Sequence, residues 1–234
     1  MNVSVPVVLS RTDELVNLYE NTHLGLFPVT KVDHLVTTDL DSAVSTAKSM
    51  GVEDRDRAFR KISLQFAKNG NISRAKEIAD QIETARIWEG ARCLIVLELA
   101  RKGDFVKVEP EIRQMTGEDN KEDLYRNIAT IFASRGDLYH AQRFVSSIRT
   151  PHVQNRAFQS VIEELLKRKL IKEALEVADS LLNDEKSSAL KNISFEMAKS
   201  GDIVSAQTLA STITDRRTQS DAIELIDKIA EMRM

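Results

Sequence analysis

Apolar residues recur along this chain in two alternating registers. In the first, Phe59, Ile62 and Phe66 return as Arg92, Ile95 and Leu99, then as Tyr125, Ile128 and Phe132, as Phe158, Val161 and Leu165, and as Leu190, Ile193 and Met197. In the second, Ile72, Ala75, Ala79 and Ile82 return as Leu138, Ala141, Val145 and Ile148, as Ile171, Ala174, Ala178 and Leu181, and as Ile203, Ala206, Ala210 and Ile213. Spacings of three and four put each set on one face of a helix, so the pattern predicts helices in pairs. The alanines of the second register let the two helices of a pair approach closely.

The registers are separated by short turns: Asn69-Gly70-Asn71, Lys102-Gly103-Asp104, Arg135-Gly136-Asp137 and Ser200-Gly201-Asp202, with Lys169-Leu170 holding the remaining place. Successive turns are 33, 33, 33 and 32 residues apart. Glycine takes the left-handed conformation that ends a helix, and the following Asp or Asn accepts free N–H groups of the next. A fixed period of this length is the signature of stacked supersecondary units.

The Gly-Asp turn, the small residue five positions beyond it (Ala75, Ala141, Ala174, Ala206) and the large apolar residue four positions before it (Phe66, Leu99, Phe132, Leu165) resemble the tetratricopeptide (TPR) pattern over about residues 54 to 232. The chain departs from that pattern in lacking the helix-terminating proline and in carrying Ser63, Val96, Ile162 and Ser194 where the first helix has Gly or Ala. The resemblance implies an all-α fold, a right-handed α-α superhelix of antiparallel helix pairs. Residues 1–38 read as an N-terminal segment and degenerate cap, and 39–234 as one continuous repeat domain closed by a C-terminal capping helix. Leu40, Ala43, Ala47 and Met50 repeat the second register in the degenerate unit, Thr12 to Asn21 reads as a short helix, and Ala222, Ile226 and Ala230 form the last helix, with Glu224, Asp227, Lys228 and Glu231 on its outer face. Pro110 falls inside one second helix and predicts a kink or a late start there, and Gly117 to Asp123 reads as a charged loop.

In such a superhelix the first helices line the concave side. The inward positions implied for this chain include Arg57, Arg60, Leu97, Arg126, Arg156, Lys191 and Phe195, a partner-binding set in which cations outnumber the inward acids Asp123 and Glu163. Lys68, Arg101, Lys167 and Lys199 end first helices, where a cation complements the helix dipole whatever else it does. The carboxylate clamp of chaperone-binding TPRs is not expected, because its Asn position holds Leu64, Leu97, Thr130, Glu163 and Phe195.

Composition narrows the chemistry. Cys93 is the only cysteine, which rules out an intrachain disulfide and fits a cytoplasmic setting. The four histidines form no HExxH-type pair, and there is no GxSxG, GxxxxGK[ST] or GxGxxG, so no catalytic residue, metal or cofactor is expected. No apolar run is long enough to span a membrane. The expected function is a protein-protein interaction scaffold or adaptor that takes a protein or acidic peptide in its groove. Two alternatives are a helical-repeat RNA binder, against which a net charge of −3 and 5% aromatic residues argue, and a self-associating structural protein.

Overall fold

The computed structural model describes residues 31–115 and 118–233, all of them helices and short turns with no strand. The thirteen helices are α1 (Lys31–Thr38), α2 (Leu40–Lys48), α3 (Val52–Lys68), α4 (Ile72–Ala79), α5 (Ala85–Lys102), α6 (Phe105–Arg113), α7 (Glu118–Ser134), α8 (Leu138–Ser146), α9 (Pro151–Lys167), α10 (Ile171–Ala178), α11 (Asn183–Ser200), α12 (Ile203–Ser211) and α13 (Arg216–Glu231). From α3 onward, helices of 16 to 18 residues alternate with helices of 8 or 9. The chain divides into two compact units, with the boundary between Leu124 and Tyr125 inside α7.

In the first unit α3 packs on α4 and α5, and α5 packs on α6. In the second, α9 packs on α10 and α11, and α11 on α12 and α13. Within the units, α3, α9 and α11 therefore each meet their own short partner and the next long helix. The apolar registers supply these contacts: Ile62, Ile128 and Ile193 are fully enclosed, as are Ala75, Ala141, Ala174 and Ala206, whose small side chains lie where the paired helices meet. Tyr125, Phe158 and Met197 are only half-buried, so the first register is tightest at its middle position.

All five turns close with the same bond, an N–H donating to the carbonyl five residues earlier: Asn71 to Phe66, Asp104 to Leu99, Asp137 to Phe132, Leu170 to Leu165 and Asp202 to Met197, at 2.9 to 3.1 Å. This is the closure of a Schellman motif and it requires a left-handed residue just before the donor. Gly70, Gly103, Gly136 and Gly201 supply φ values of +78° to +102°, and Lys169 adopts the same conformation at φ +61° without being glycine. Side chains of Asn71, Asp137 and Asp202 then accept the N–H three residues on, capping α4, α8 and α12. Asp104 does not; its carboxylate pairs with Lys107 at 2.6 Å.

Part of one expectation and the whole of another need correction. The helix containing Pro110 does not start late: it begins at Phe105 and runs through to Arg113. The acceptor that proline leaves without its helical donor is the carbonyl of Val106, a residue that is 68% exposed, so water can take its place. Residues Glu118 to Asp123 belong to α7 and not to a loop. Good helix formers such as Glu and Lys outweigh their clustering of charge. The helix expected at Thr12 to Asn21 lies outside the described residues. At the other end, Ala222 and Ile226 are buried while Glu224, Asp227, Lys228 and Glu231 are exposed, so α13 carries a polar outer face.

Candidate functional site

Two kinds of polar contact set the geometry of the long helices before any partner is considered. The first is a cation that reaches back to the C-terminus of the preceding long helix. Lys102 Nζ donates to the carbonyls of Ala67 at 2.7 Å and Lys68 at 3.1 Å, Arg168 donates to Ser134 at 2.6 Å, and Arg233 donates to Lys199. These residues share one place in the period, which for Lys102 and Arg168 is immediately before the turn. The cations satisfy carbonyls that the end of a helix leaves without donors, at the pole where positive charge is favoured.

The second contact lies at the opposite end of the long helices. Asp56, near the start of α3, is fully buried and accepts from the Thr84 amide and hydroxyl, both at 2.8 Å, and from the Glu83 amide at 3.2 Å. Burial pushes its carboxyl up, but the hydrogen bonds from Thr84 and the pairing with Arg55 outweigh it and hold the group below the ordinary aspartate range. Asn155 and Ser187 occupy the corresponding places in the second unit, reaching Glu185 at 3.0 Å and Thr214 at 3.4 Å. Sequence reasoning missed this column because its partners lie 27 to 30 residues away, beyond the reach of helical periodicity.

A buried ionic cluster joins α4, α5 and α6. Arg92 is 3% exposed, and its guanidinium lies 2.8 Å from Glu111, whose other oxygen is 2.6 Å from Lys76 Nζ. It also donates to Gln114, meets Asp80 at 3.4 Å and sits 5.6 Å from the Trp88 ring. Arg92 stands where the other units carry Phe59, Tyr125, Phe158 and Leu190, so one unit replaces an apolar contact with a charged one.

The expected partner-binding residues fall into two groups. In the first unit Arg60 and Leu97 are 2% and 1% exposed, so they present no surface to a partner, and only Arg57 is partly open, paired with Glu53 at 2.5 Å. The Arg60 guanidinium lies against α5, 3.6 Å from where a side chain on Gly90 would begin. In the second unit Arg126, Lys191 and Phe195 are half-buried and Arg156 is exposed.

Phe195 lines a cavity. A groove of about 360 Å³ between α9 and α11 is lined by Glu163, Leu166 and Lys167 from one helix and by Asn192, Phe195, Glu196 and Lys199 from the other. Arg126, Arg156 and Lys191 do not line it. Its apolar floor is Leu166 and Phe195. Lys199 Nζ lies 5.4 Å from the centre of the Phe195 ring and 2.7 Å from Glu196, and Lys167 pairs with Glu164 at 2.7 Å. No family model, curated protein or solved structure matches this chain. The geometry therefore carries the functional reading without help from relatives.

What the groove offers is an aromatic floor with a movable rim. The Lys199 and Lys167 side chains are about half exposed, and such pairs hold by roughly 0 to 1 kcal/mol. An incoming apolar side chain could displace Lys199 from the Phe195 ring at little cost and leave the ammonium free for an acceptor on the same ligand. Among the described residues no group of three His, Cys, Asp or Glu side chains could hold a metal ion, and no helix is long and apolar enough to cross a membrane.

Proposed function

We propose that this chain is a helical-repeat interaction scaffold of the TPR-like kind, holding a protein or peptide partner and catalysing no reaction. The observation that carries this reading is the groove between α9 and α11, where Leu166 and Phe195 form an apolar floor and Lys167 and Lys199, at matching places in the period, part of a charged rim. Alternation of long and short helices, the repeated turn closure and stacking of successive long helices support a solenoid of hairpins within each unit. A bulky apolar anchor on the partner fills the floor, and its flanking polar groups meet Lys167, Lys199, Glu163 and Glu196. This shifts the expected ligand from a simply acidic peptide to one with an apolar anchor, because acids offset the cations of the groove.

The test is affinity capture with the full chain, its Phe195→Ala variant and a Tyr139→Ala control, read by quantitative mass spectrometry. Tyr139 is 71% exposed and lies outside the groove. Proteins retained by the wild type and control but lost with Phe195→Ala, while circular dichroism is unchanged, support the reading. Identical retention by all three proteins overturns it.

A further inference from the structure

The five turns share their closure but not the residue that precedes the left-handed one. That place holds Lys102, Arg135, Arg168 and Ser200 in four turns and Asn69 in the first. Asn69 is exposed and Gly70 follows it, the only Asn-Gly pair in the chain. An asparagine side-chain carbon can close a five-membered ring with the next residue's nitrogen, and a glycine there has no side chain to hinder the closure. The native turn holds that reaction back. Asn69 has ψ −2°, so the Gly70 nitrogen eclipses the Asn69 nitrogen about the Cα–C bond and is turned away from the Asn69 side chain. Gly70 N–H donates to the Ala67 carbonyl and Asn71 N–H to the Phe66 carbonyl, both at 2.9 Å. Gln65 also donates to Asn69 Oδ1 at 3.1 Å. The next long helix backs this arrangement: Lys102 Nζ donates to the same Ala67 carbonyl at 2.7 Å and to that of Lys68 at 3.1 Å, and lies 3.4 Å from where a side chain on Gly70 would begin.

We propose that Asn69 is a site of spontaneous covalent modification, latched in the native fold by Lys102 and released when the turn between α3 and α4 opens. In the opened turn the Gly70 nitrogen gives up its proton to solvent and attacks Asn69 Cγ. The Cγ–Nδ2 bond breaks, ammonia leaves after taking a proton from solvent, and a succinimide ring remains. One water then opens the ring. Cleavage between Cγ and the ring nitrogen leaves aspartate at position 69, and cleavage between the main-chain carbonyl carbon and that nitrogen leaves isoaspartate. Nothing is oxidised or reduced. Isoaspartate carries the chain through the side chain and adds a backbone atom ahead of Gly70, so the bonds to Ala67 and Phe66 lose their register. The change is lasting, and its extent records how often this turn has opened. Asn71, in the same turn, is followed by Ile72, whose branched side chain crowds the attacking nitrogen, so it serves as an internal comparison.

The test follows the full chain at neutral pH, with and without denaturing urea, by mass spectrometry of tryptic digests. Cleavage after Lys68 and Arg74 releases residues 69–74 as one peptide, and its fragment spectra separate Asn69 from Asn71. In urea Asn69 should convert from amide to acid well ahead of Asn71, and without urea its conversion should be slower by roughly tenfold or more. Lys102→Ala, with its helical circular dichroism retained, should convert severalfold faster than the wild type without urea. No conversion at Asn69 in urea, equal wild-type rates in the two conditions, or a folded Lys102→Ala variant that reacts at the wild-type rate overturns the proposal. The first two outcomes need only the wild type, so they decide the matter even where Lys102→Ala does not fold. No partner is captured, so this inference and the proposed function can fail separately.

Discussion

The Arg168 guanidinium donates to the carbonyl of Ser134 at 2.6 Å, and in doing so it passes 3.3 Å from the point where a side chain on Gly136 would begin. Gly136 therefore answers two demands at once, a φ of +78° and room for the next unit's cation. Gly201 meets Arg233 in the same way at 2.9 Å, and Gly70 meets Lys102 at 3.4 Å.

Gly136→Ala should lower stability by about 1–2 kcal/mol, the cost of left-handed backbone for a residue with a Cβ. Displacement of Arg168 adds to that loss. Lys169→Gly should act in the opposite direction, by a few tenths of a kcal/mol, because relief of the left-handed backbone exceeds the entropy glycine adds to the unfolded chain. Urea titrations of the two variants against the wild type check both signs.

Asp56 makes a prediction about acid. Its folded-state pKa lies below the value of 3.8 for an ordinary aspartate, so its stabilising contribution is complete above about pH 4 and disappears as the pH falls through the lowered folded value. Asp56→Asn should flatten that part of the acid limb and leave the slope at neutral pH unchanged. Asp56→Ala strands the Glu83 and Thr84 donors and should cost about 2–3 kcal/mol at neutral pH. Melting temperatures measured from pH 2 to pH 7 distinguish the two variants.

The Arg92–Glu111 pair should show strong coupling. Removing either partner alone, as in Arg92→Leu or Glu111→Leu, leaves the other with only its second partner, Lys76 for Glu111 and Asp80 for Arg92, and should cost about 3 kcal/mol, the low end for a broken buried pair. The double variant should lose less than the sum of the singles. A double-mutant cycle by chemical denaturation gives the interaction term directly, and additive losses would contradict the pairing.

The junction between α10 and α11 carries the 32-residue step, and the structure shows how the missing residue is absorbed. Asn183 takes φ +49°, and Leu182 before it is left 73% exposed as the residue preceding α11. Asparagine tolerates that conformation better than most residues. Asn183→Gly should be neutral or slightly stabilising, whereas Asn183→Val should cost about 1–2 kcal/mol. Thermal melts of the pair separate the effect of backbone geometry from that of the loop's composition.

The helices and their pairing were legible in the sequence because both depend on local periodicity. The enclosed alanines at positions 75, 141, 174 and 206 show that the small residues of the second register lie where helices meet. The place of Lys169 in the period located a turn that lacks the residue normally needed there. What periodicity could not show is who pairs with whom across units. Asp56 with Thr84 and Arg168 with Ser134 are 28 and 34 residues apart, and nothing in the identity of a single polar residue names its partner at that distance. For the site, Phe195 was legible as an inward residue, but Arg60 and Leu97 read the same way and are enclosed. A positional rule assigns direction along a helix; it does not report whether something else already occupies the space. The start of α7 at Glu118 was missed because charge clustering was read as a loop signal.

The single tryptophan gives the two halves of this molecule different optical properties. Trp88 donates to Asp80 at 3.3 Å and lies under Arg92, all within the first unit, while the second unit contains Tyr125 and Tyr139 and no indole. Emission excited selectively in the indole band follows only the first unit, and the Arg92 cation close to the ring makes that signal sensitive to the loosening of α4, α5 and α6. Far-ultraviolet circular dichroism follows both halves together. Comparing the two signals on one sample reveals whether the units melt together, with no label added to the protein.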